Sequence, residues 1–128
     1  MSNHGTFITS IHCMDGRVQI PISDWLKNKY SIDFVDTITE PGPNKIVADN
    51  VDSVTIASIK KRVDISVNKH SSNLIAICGH HDCAGNPVEK NIQIDQIKKA
   101  IKNINNWNFN VPIIGLWVDE NWKVTEVK

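Results

Sequence analysis

The chain has 128 residues, a length that fits one domain with a core large enough to stand without disulfide staples. Its 14 Lys+Arg balance 14 Asp+Glu, and 41% of residues are hydrophobic against 22% charged. This excludes the basic excess that a phosphate backbone demands and the polar composition of a disordered chain. No apolar run approaches the roughly 18–20 residues of a membrane span, and residues 1–5 carry neither the basic start nor the apolar stretch of an export signal. A cytoplasmic location is expected, with neither a nucleic-acid nor a membrane partner. Three cysteines, an odd number, point to reduced thiols in a metal-binding or reactive role rather than to a disulfide framework.

Residues 6–13 are rich in β-branched and aromatic side chains and predict a strand that stops at Cys13. Pro21, Ile22, Trp25 and Leu26 predict a short helix; residues 33–39 then alternate like a second strand, which Pro41-Gly42-Pro43 ends. Between residues 51 and 70, Ile56, Ile59, Val63 and Val67 recur at three- and four-residue steps, with Lys60, Lys61, Arg62 and Lys69 left for a solvated face. That is the pattern of one amphipathic helix. Residues 74–78 form a continuous apolar run, as in a strand covered on both faces of a parallel sheet, and Gly79 is read as its end. Asn86-Pro87 reads as the start of a second long helix, whose Ile94, Ile97, Ile101 and Ile104 face inward as far as about Asn106. Residues 111–118 are again strand-like, and Glu120-Asn121 turns them into an antiparallel hairpin with residues 122–127. The alternation of strands and helices predicts an α/β fold in one domain, residues 1–128: a mainly parallel β-sheet flanked by helices, with a C-terminal antiparallel hairpin.

Functional groups in open parallel sheets gather beyond the carboxyl ends of strands, and two such ends here carry unusual residues. They are Cys13-Met14-Asp15-Gly16-Arg17 and Gly79-His80-His81-Asp82-Cys83-Ala84-Gly85. Cys13, His80 and Cys83 offer two thiolates and an imidazole, a set suited to tetrahedral zinc with one position open for water. Strand alternation places Asp15 and Arg17 on the same side as Cys13; taken alone, they are an ordinary ion pair.

The sequence resembles the β-class carbonic anhydrases, whose hallmark is Cys-x-Asp-x-Arg at the end of the first strand and His-x-x-Cys at the end of a later one. Cys13-Met14-Asp15-Gly16-Arg17 matches the first motif and His80-His81-Asp82-Cys83 the second, in that order. The resemblance covers about residues 6–118 and rests outside the motifs on element order. It implies a β-carbonic-anhydrase-like fold, Zn2+ bound by Cys13, His80 and Cys83, and a catalytic Asp15–Arg17 dyad beside the fourth position. It implies a carbonate dehydratase-like lyase that reversibly hydrates carbon dioxide to bicarbonate through a zinc-bound hydroxide, with Asp15, held by Arg17, orienting that hydroxide. Released from Arg17, Asp15 would instead ligate zinc, a closed state that some members adopt. The alternatives are hydrolysis of carbonyl sulfide or carbon disulfide at the same centre, as in relatives of the family, and a non-catalytic zinc-binding protein. The resemblance also implies a homodimer or a higher homo-oligomer.

Three departures from the family pattern stand out. The first strand begins within a few residues of the chain's start, so the family's N-terminal helical arm, which wraps a dimer partner, is expected to be absent. Thr39-Glu40-Pro41-Gly42-Pro43 stands where the family has Arg-Asn-Ala-Gly, and Ala84 follows the second motif's cysteine in place of glycine, with Gly85 one position later. Beside these, His81 reads as a solvent-facing spectator, the alternatives being a proton shuttle or, in a different register, a metal ligand. Cys78 reads as a core residue, and His12, pointing to the opposite face from Cys13, is given no catalytic role. Trp25, Trp107, Trp117 and Trp122 read as packing or subunit-contact residues. There is neither a phosphate-cradling glycine loop nor a serine-nucleophile motif.

Overall fold

Strands with apolar side chains on both faces can be buried only between two layers of helix. In the computed structural model, which describes residues 5–128, this is the outcome. The elements run β1 (Phe7–Cys13), α1 (Gln19–Tyr30), β2 (Phe34–Glu40), α2 (Pro43–Asp49), α3 (Ser53–Lys69), β3 (Ile75–His80), α4 (Lys90–Asn105), β4 (Ile113–Val118) and β5 (Val124–Val127). The sheet order is β2-β1-β3-β4-β5, parallel throughout except for the antiparallel β4–β5 pair. The predicted α/β class and the closing hairpin are therefore observed. No helix among the described residues is long and apolar enough to cross a membrane.

On one face Ile8, Ala76, Cys78, Leu116 and Val118 pack against Val18 and α1's Ile22 and Leu26. On the other, Ile11, Ile75 and Ile77 pack against Val47 of α2, Ile59 and Val63 of α3, and Ile97, Ala100 and Ile104 of α4. Each fully buried isoleucine or leucine contributes about 1.5–3 kcal/mol of transfer free energy, so these two layers fix the register of the strands. The α3 helix starts cleanly because Asp52 caps it, accepting a hydrogen bond from Thr55 N at 3.0 Å.

Four expectations need correction. Pro41-Gly42-Pro43 ends β2 and also begins the unforeseen α2, since Gly42 sits in the left-handed region (φ 64°) as N-cap and Pro43 occupies the first helical position. Gly79 does not end β3, which continues to His80. The glycine is there because a Cβ at that position would lie 2.6 Å from Gln93 Oε1 of α4. The second long helix begins at Lys90 rather than at Asn86-Pro87, because the backbone there is spent in turns, Asn86 N donating to the Cys83 carbonyl and Val88 N to the Asn86 carbonyl, and Glu89 is extended. Finally, β1 stops at Cys13 and residues 16–18 form a turn, so strand alternation is not what places Asp15 and Arg17.

The strand order reverses between β1 and β3. The helix after β1 lies on one face and leads to β2, and the helix after β3 lies on the other and leads to β4, so the chain departs in opposite directions from these two neighbouring strands. Residues 9–11 of β1 pair with residues 75–77 of β3 and the pairing ends there, whereas β1 stays paired with β2 as far as Cys13 and Glu40. Beyond Ile11 and Ile77 the two central strands part. Farther along the sheet, Gly115 of β4 touches α4 closely: an added Cβ would collide with Ile97 Cγ2 and lie 3.1 Å from Ile101 Cδ1. Gly115→Ala is therefore expected to lower the free energy of unfolding by about 1–3 kcal/mol through overpacking, measured by urea denaturation. An unchanged midpoint would mean that α4 does not rest on β4 at this point.

Candidate metal centre

Cys13 ends β1 and His80 ends the neighbouring β3; Cys83 follows from the loop after β3. All three are buried. Asp82, in the left-handed region at φ 58°, turns the chain so that Cys83 comes back toward Cys13. The Cys13 and Cys83 Sγ atoms are 3.8 Å apart, and the ligand atoms of Cys13, His80 and Cys83 all lie within 4.8 Å of one another. Two sulfurs on a tetrahedral zinc, each bonded at about 2.3 Å, would be separated by roughly 3.8 Å.

The imidazole is oriented by its own chain. His80 Nδ1 lies 2.7 Å from the His81 carbonyl oxygen, which can only accept, so Nδ1 carries the proton. His80 Nε2 is buried and has no hydrogen-bond partner. A buried acceptor left without a partner is costly, and a metal ion is the partner that two adjacent thiols and an imidazole lone pair suit. Burial lowers the His80 pKa, but the nearby Cys13 sulfur and the His81 carbonyl outweigh it and the net shift is upward. The thiol pair divides one proton: hydrogen bonding from Cys83 holds Cys13 well below the usual thiol range, and the same contact pushes Cys83 up.

Beside the cluster, Asp15 shapes the turn that leaves β1. Its Oδ1 accepts from Arg17 N at 2.9 Å and its carbonyl from Val18 N at 3.3 Å. The Arg17 guanidinium returns to the same carboxylate, with Nη2 2.7 Å from Oδ2 and Nε 3.1 Å from Oδ1. Arg17 also donates to Asp82 Oδ2 and to the Asp82 carbonyl, each at 3.2 Å, and lies 4.6 Å from the centre of the Trp122 ring. Hydrogen bonds from Arg17 lower the Asp15 pKa to about 2. The carboxylate is thus ionised at any ordinary pH. Its pairing with Arg17 favours the folded state above the unperturbed carboxylate pKa and ceases to do so as pH falls through about 2.

A family profile described as "Putative carbonic anhydrase" matches residues 3–128. This chain belongs to that family. No curated protein matches the sequence. Among solved structures, the β-carbonic anhydrase CafA of the fungal pathogen Aspergillus fumigatus is similar at 12% identity, with a TM-score of 0.55 over 94% of this chain and 74% of that one. One of two tetrameric β-carbonic anhydrases from the filamentous ascomycete Sordaria macrospora is similar at 15% identity, with a TM-score of 0.51 over 94% and 79% of the respective chains. The chain is a divergent carbonic-anhydrase-family member with the β-class fold.

The family member's other singled-out residues fall outside the cluster. His81 is exposed and its N–H donates to the Val118 carbonyl at 2.8 Å. His12 is buried on the α1 face, where its ring contacts Ser10 Oγ and Gln19 Oε1, each at 2.7 Å, and burial lowers its pKa. Trp117 is buried, Trp25 packs edge-on to Tyr30, and Trp107 lies under Lys60. Of the segment in place of Arg-Asn-Ala-Gly, Glu40 pairs with Arg62, and Gly42 lies so close to the next loop that a Cβ would be 2.8 Å from Asn86 Cβ.

Sequence reasoning missed Asp82 and Trp122 as partners of Arg17. It also missed Gln19, whose Nε2 donates to the Cys13 and Asp15 carbonyls at 2.9 and 2.8 Å. The sequence position of Asp82, inside the His-x-x-Cys spacing, was the one available signal. Cys78 stays apart, in the α1-side core beside Ser10, and burial pushes its thiol up to about 12. At pH 8 in the native protein, Cys78 is therefore expected to escape alkylation by iodoacetamide and to react fully once unfolded, as read by peptide mass spectrometry. Rapid native labelling would show that it is not in the core.

Proposed function

We propose that this carbonic-anhydrase-family chain holds zinc through Cys13 Sγ, His80 Nε2 and Cys83 Sγ and catalyses the reversible hydration of carbon dioxide to bicarbonate. The observation that carries the reading is the buried His80 Nε2, left without a hydrogen-bond partner beside two thiols at the separation tetrahedral zinc requires. Zinc in such a site supplies a Lewis acid that brings a water's pKa toward neutrality and so a nucleophile for the carbon of CO2.

The protein's own residues do the rest. Arg17 keeps the Asp15 carboxylate ionised and pointed, using donors on both carboxylate oxygens. With zinc bound, Asp15 would accept a hydrogen bond from the activated water and so orient it toward the substrate carbon. The His81 carbonyl fixes the His80 tautomer, which keeps Nε2 free to donate its lone pair. Reduced thiols suit a cytoplasmic setting. Assembly as a homodimer or a higher homo-oligomer is part of the same reading, supported by the apolar Met14 and Ile20, 64% and 71% exposed on either side of the Asp15–Arg17 turn.

The decisive measurement is stopped-flow CO2 hydration by protein carrying one zinc per chain, followed from mildly acidic to alkaline pH. Turnover that rises with pH is expected, because the nucleophile forms by loss of a proton. Absence of CO2 turnover at every pH, with hydrolysis of carbonyl sulfide or carbon disulfide, would move the reading to that substrate. Inactivity toward all of them would leave a zinc-binding protein. Asp15→Asn is expected to retain its zinc and to lose about 10²–10⁴-fold in turnover; unchanged turnover would remove Asp15 from the mechanism.

A further inference from the structure

The parting of β1 and β3 leaves the last peptide of β3 without a strand partner on one side. Alternation along β3 sends the N–H and C=O groups of even-numbered residues toward β1, as the Leu74 carbonyl accepting from Thr9 N shows. At His80 no β1 residue takes up those groups. Gln93 does: His80 N donates to Gln93 Oε1 at 3.2 Å and Gln93 Nε2 donates to the His80 carbonyl at 2.8 Å. One side-chain amide thus stands in for the missing strand. Gln93 is 1% exposed, and Gly79 is bare of a Cβ that would collide with it.

The amide is itself fixed. Asn44 Nδ2, from the α2 helix that follows the replaced family segment, donates to Gln93 Oε1 and to Gln96 Oε1, each at 3.3 Å. Asn86, three positions after Cys83, donates to Gln96 Oε1 at 2.7 Å. Because both carbonyls and both donor groups have one consistent assignment, the network admits one orientation of Gln93.

We infer that Gln93 is a positioning residue for the metal centre: with Asn44 behind it, it holds the His80 backbone so that Nε2 faces Cys13 and Cys83. This rests on the zinc-site reading above and adds to it a residue far from the signature motifs. Removal of the amide leaves the His80 N–H and C=O unpaired in a buried place, and the imidazole loses its aim along with its support. Asn103 offers a comparison on the same helix. Its Nδ2 donates to the Val47 carbonyl at 2.9 Å and the Ala48 carbonyl at 3.3 Å, a similar amide-to-backbone bond outside the amide network at the metal centre.

Zinc-loaded full-length chain is titrated with a competing chelator for the parent, Gln93→Met, Asn44→Ala and Asn103→Leu, at a temperature where circular dichroism shows each folded. Cobalt-substituted forms are compared by their ligand-field bands. Gln93→Met is expected to lose about tenfold to hundredfold in zinc affinity and to shift its cobalt bands, Asn44→Ala to change in the same direction by less, and Asn103→Leu to lose thermal stability with parental affinity and spectrum. Parental affinity and spectrum in Gln93→Met would overturn the inference and make Gln93 a packing residue only. If Gln93→Met does not fold, Asn44→Ala decides in the same way. A parent chain that holds no zinc would overturn the zinc-site reading and this inference together, whereas zinc-binding parent and variants of equal affinity would overturn this inference alone.

Discussion

Beyond the Ile11–Ile77 pair the two central strands of the sheet separate, and the rest of the molecule is arranged around that separation. A parallel ladder continued to Cys13 and Gly79 would satisfy every backbone group and leave no room between the strand ends. Parting them sets Cys13 at one strand end and His80 at the other, where the helices that follow the two strands diverge to opposite faces. The cost is a set of backbone N–H and C=O groups that lose their ladder partners in a buried environment, each worth about 1–3 kcal/mol if left unsatisfied.

Side-chain amides meet that cost at both strand ends. On the β1 side Gln19 donates to the Cys13 and Asp15 carbonyls; on the β3 side Gln93 pairs with both backbone groups of His80. The Gln19 amide is in turn oriented by His12. Both Nε2 protons of Gln19 go to carbonyls, so its Oε1 must accept from His12 Nε2, and His12 Nδ1 then accepts from the Ser10 hydroxyl. His12 is therefore neutral and structural, matching the downward effect of burial on its pKa. Two uncharged networks, one on each face of the sheet, hold the ends of β1 and β3 without placing a competing charge beside the thiols.

The elements legible in the sequence were those whose periodicity reports burial: the β1, β3 and β4 strands, and the long helices with isoleucines at three- and four-residue steps. The reading failed where a residue served the space between elements. In the sequence Gly79 reads as punctuation, whereas in the fold its missing Cβ makes room for Gln93. The seven-residue α2 lacks enough turns to show a period, and its Pro-Gly-Pro start spoke for an ending. Cys13, His80 and Cys83 could be singled out because their spacing and side-chain chemistry are distinctive, and the fold does bring them together. Gln93 did leave a trace: it falls on the buried face with Ile97, Ala100 and Ile104. A polar residue on an apolar stripe signals a buried partner, but only the fold could say that the partner is the backbone of His80.

Arg17 shows why a pair that looks ordinary in sequence is not so in place. An exposed ion pair contributes about 0–1 kcal/mol, because two flexible side chains must be ordered for a screened attraction. Arg17 is 46% exposed at its side chain, so Asp15 alone would hold it weakly. Here the ordering is shared among Asp15, both the carboxylate and the carbonyl of Asp82, and the face of Trp122 from the β4–β5 hairpin. Three separate segments of chain converge on one guanidinium, and each contact is made to a side chain the others have already restricted. Asp82 also precedes Cys83, so the residue that turns the chain toward the thiol pair is itself tied, through Arg17, to the carboxylate beside it. The second motif is thereby tied to the first through Arg17.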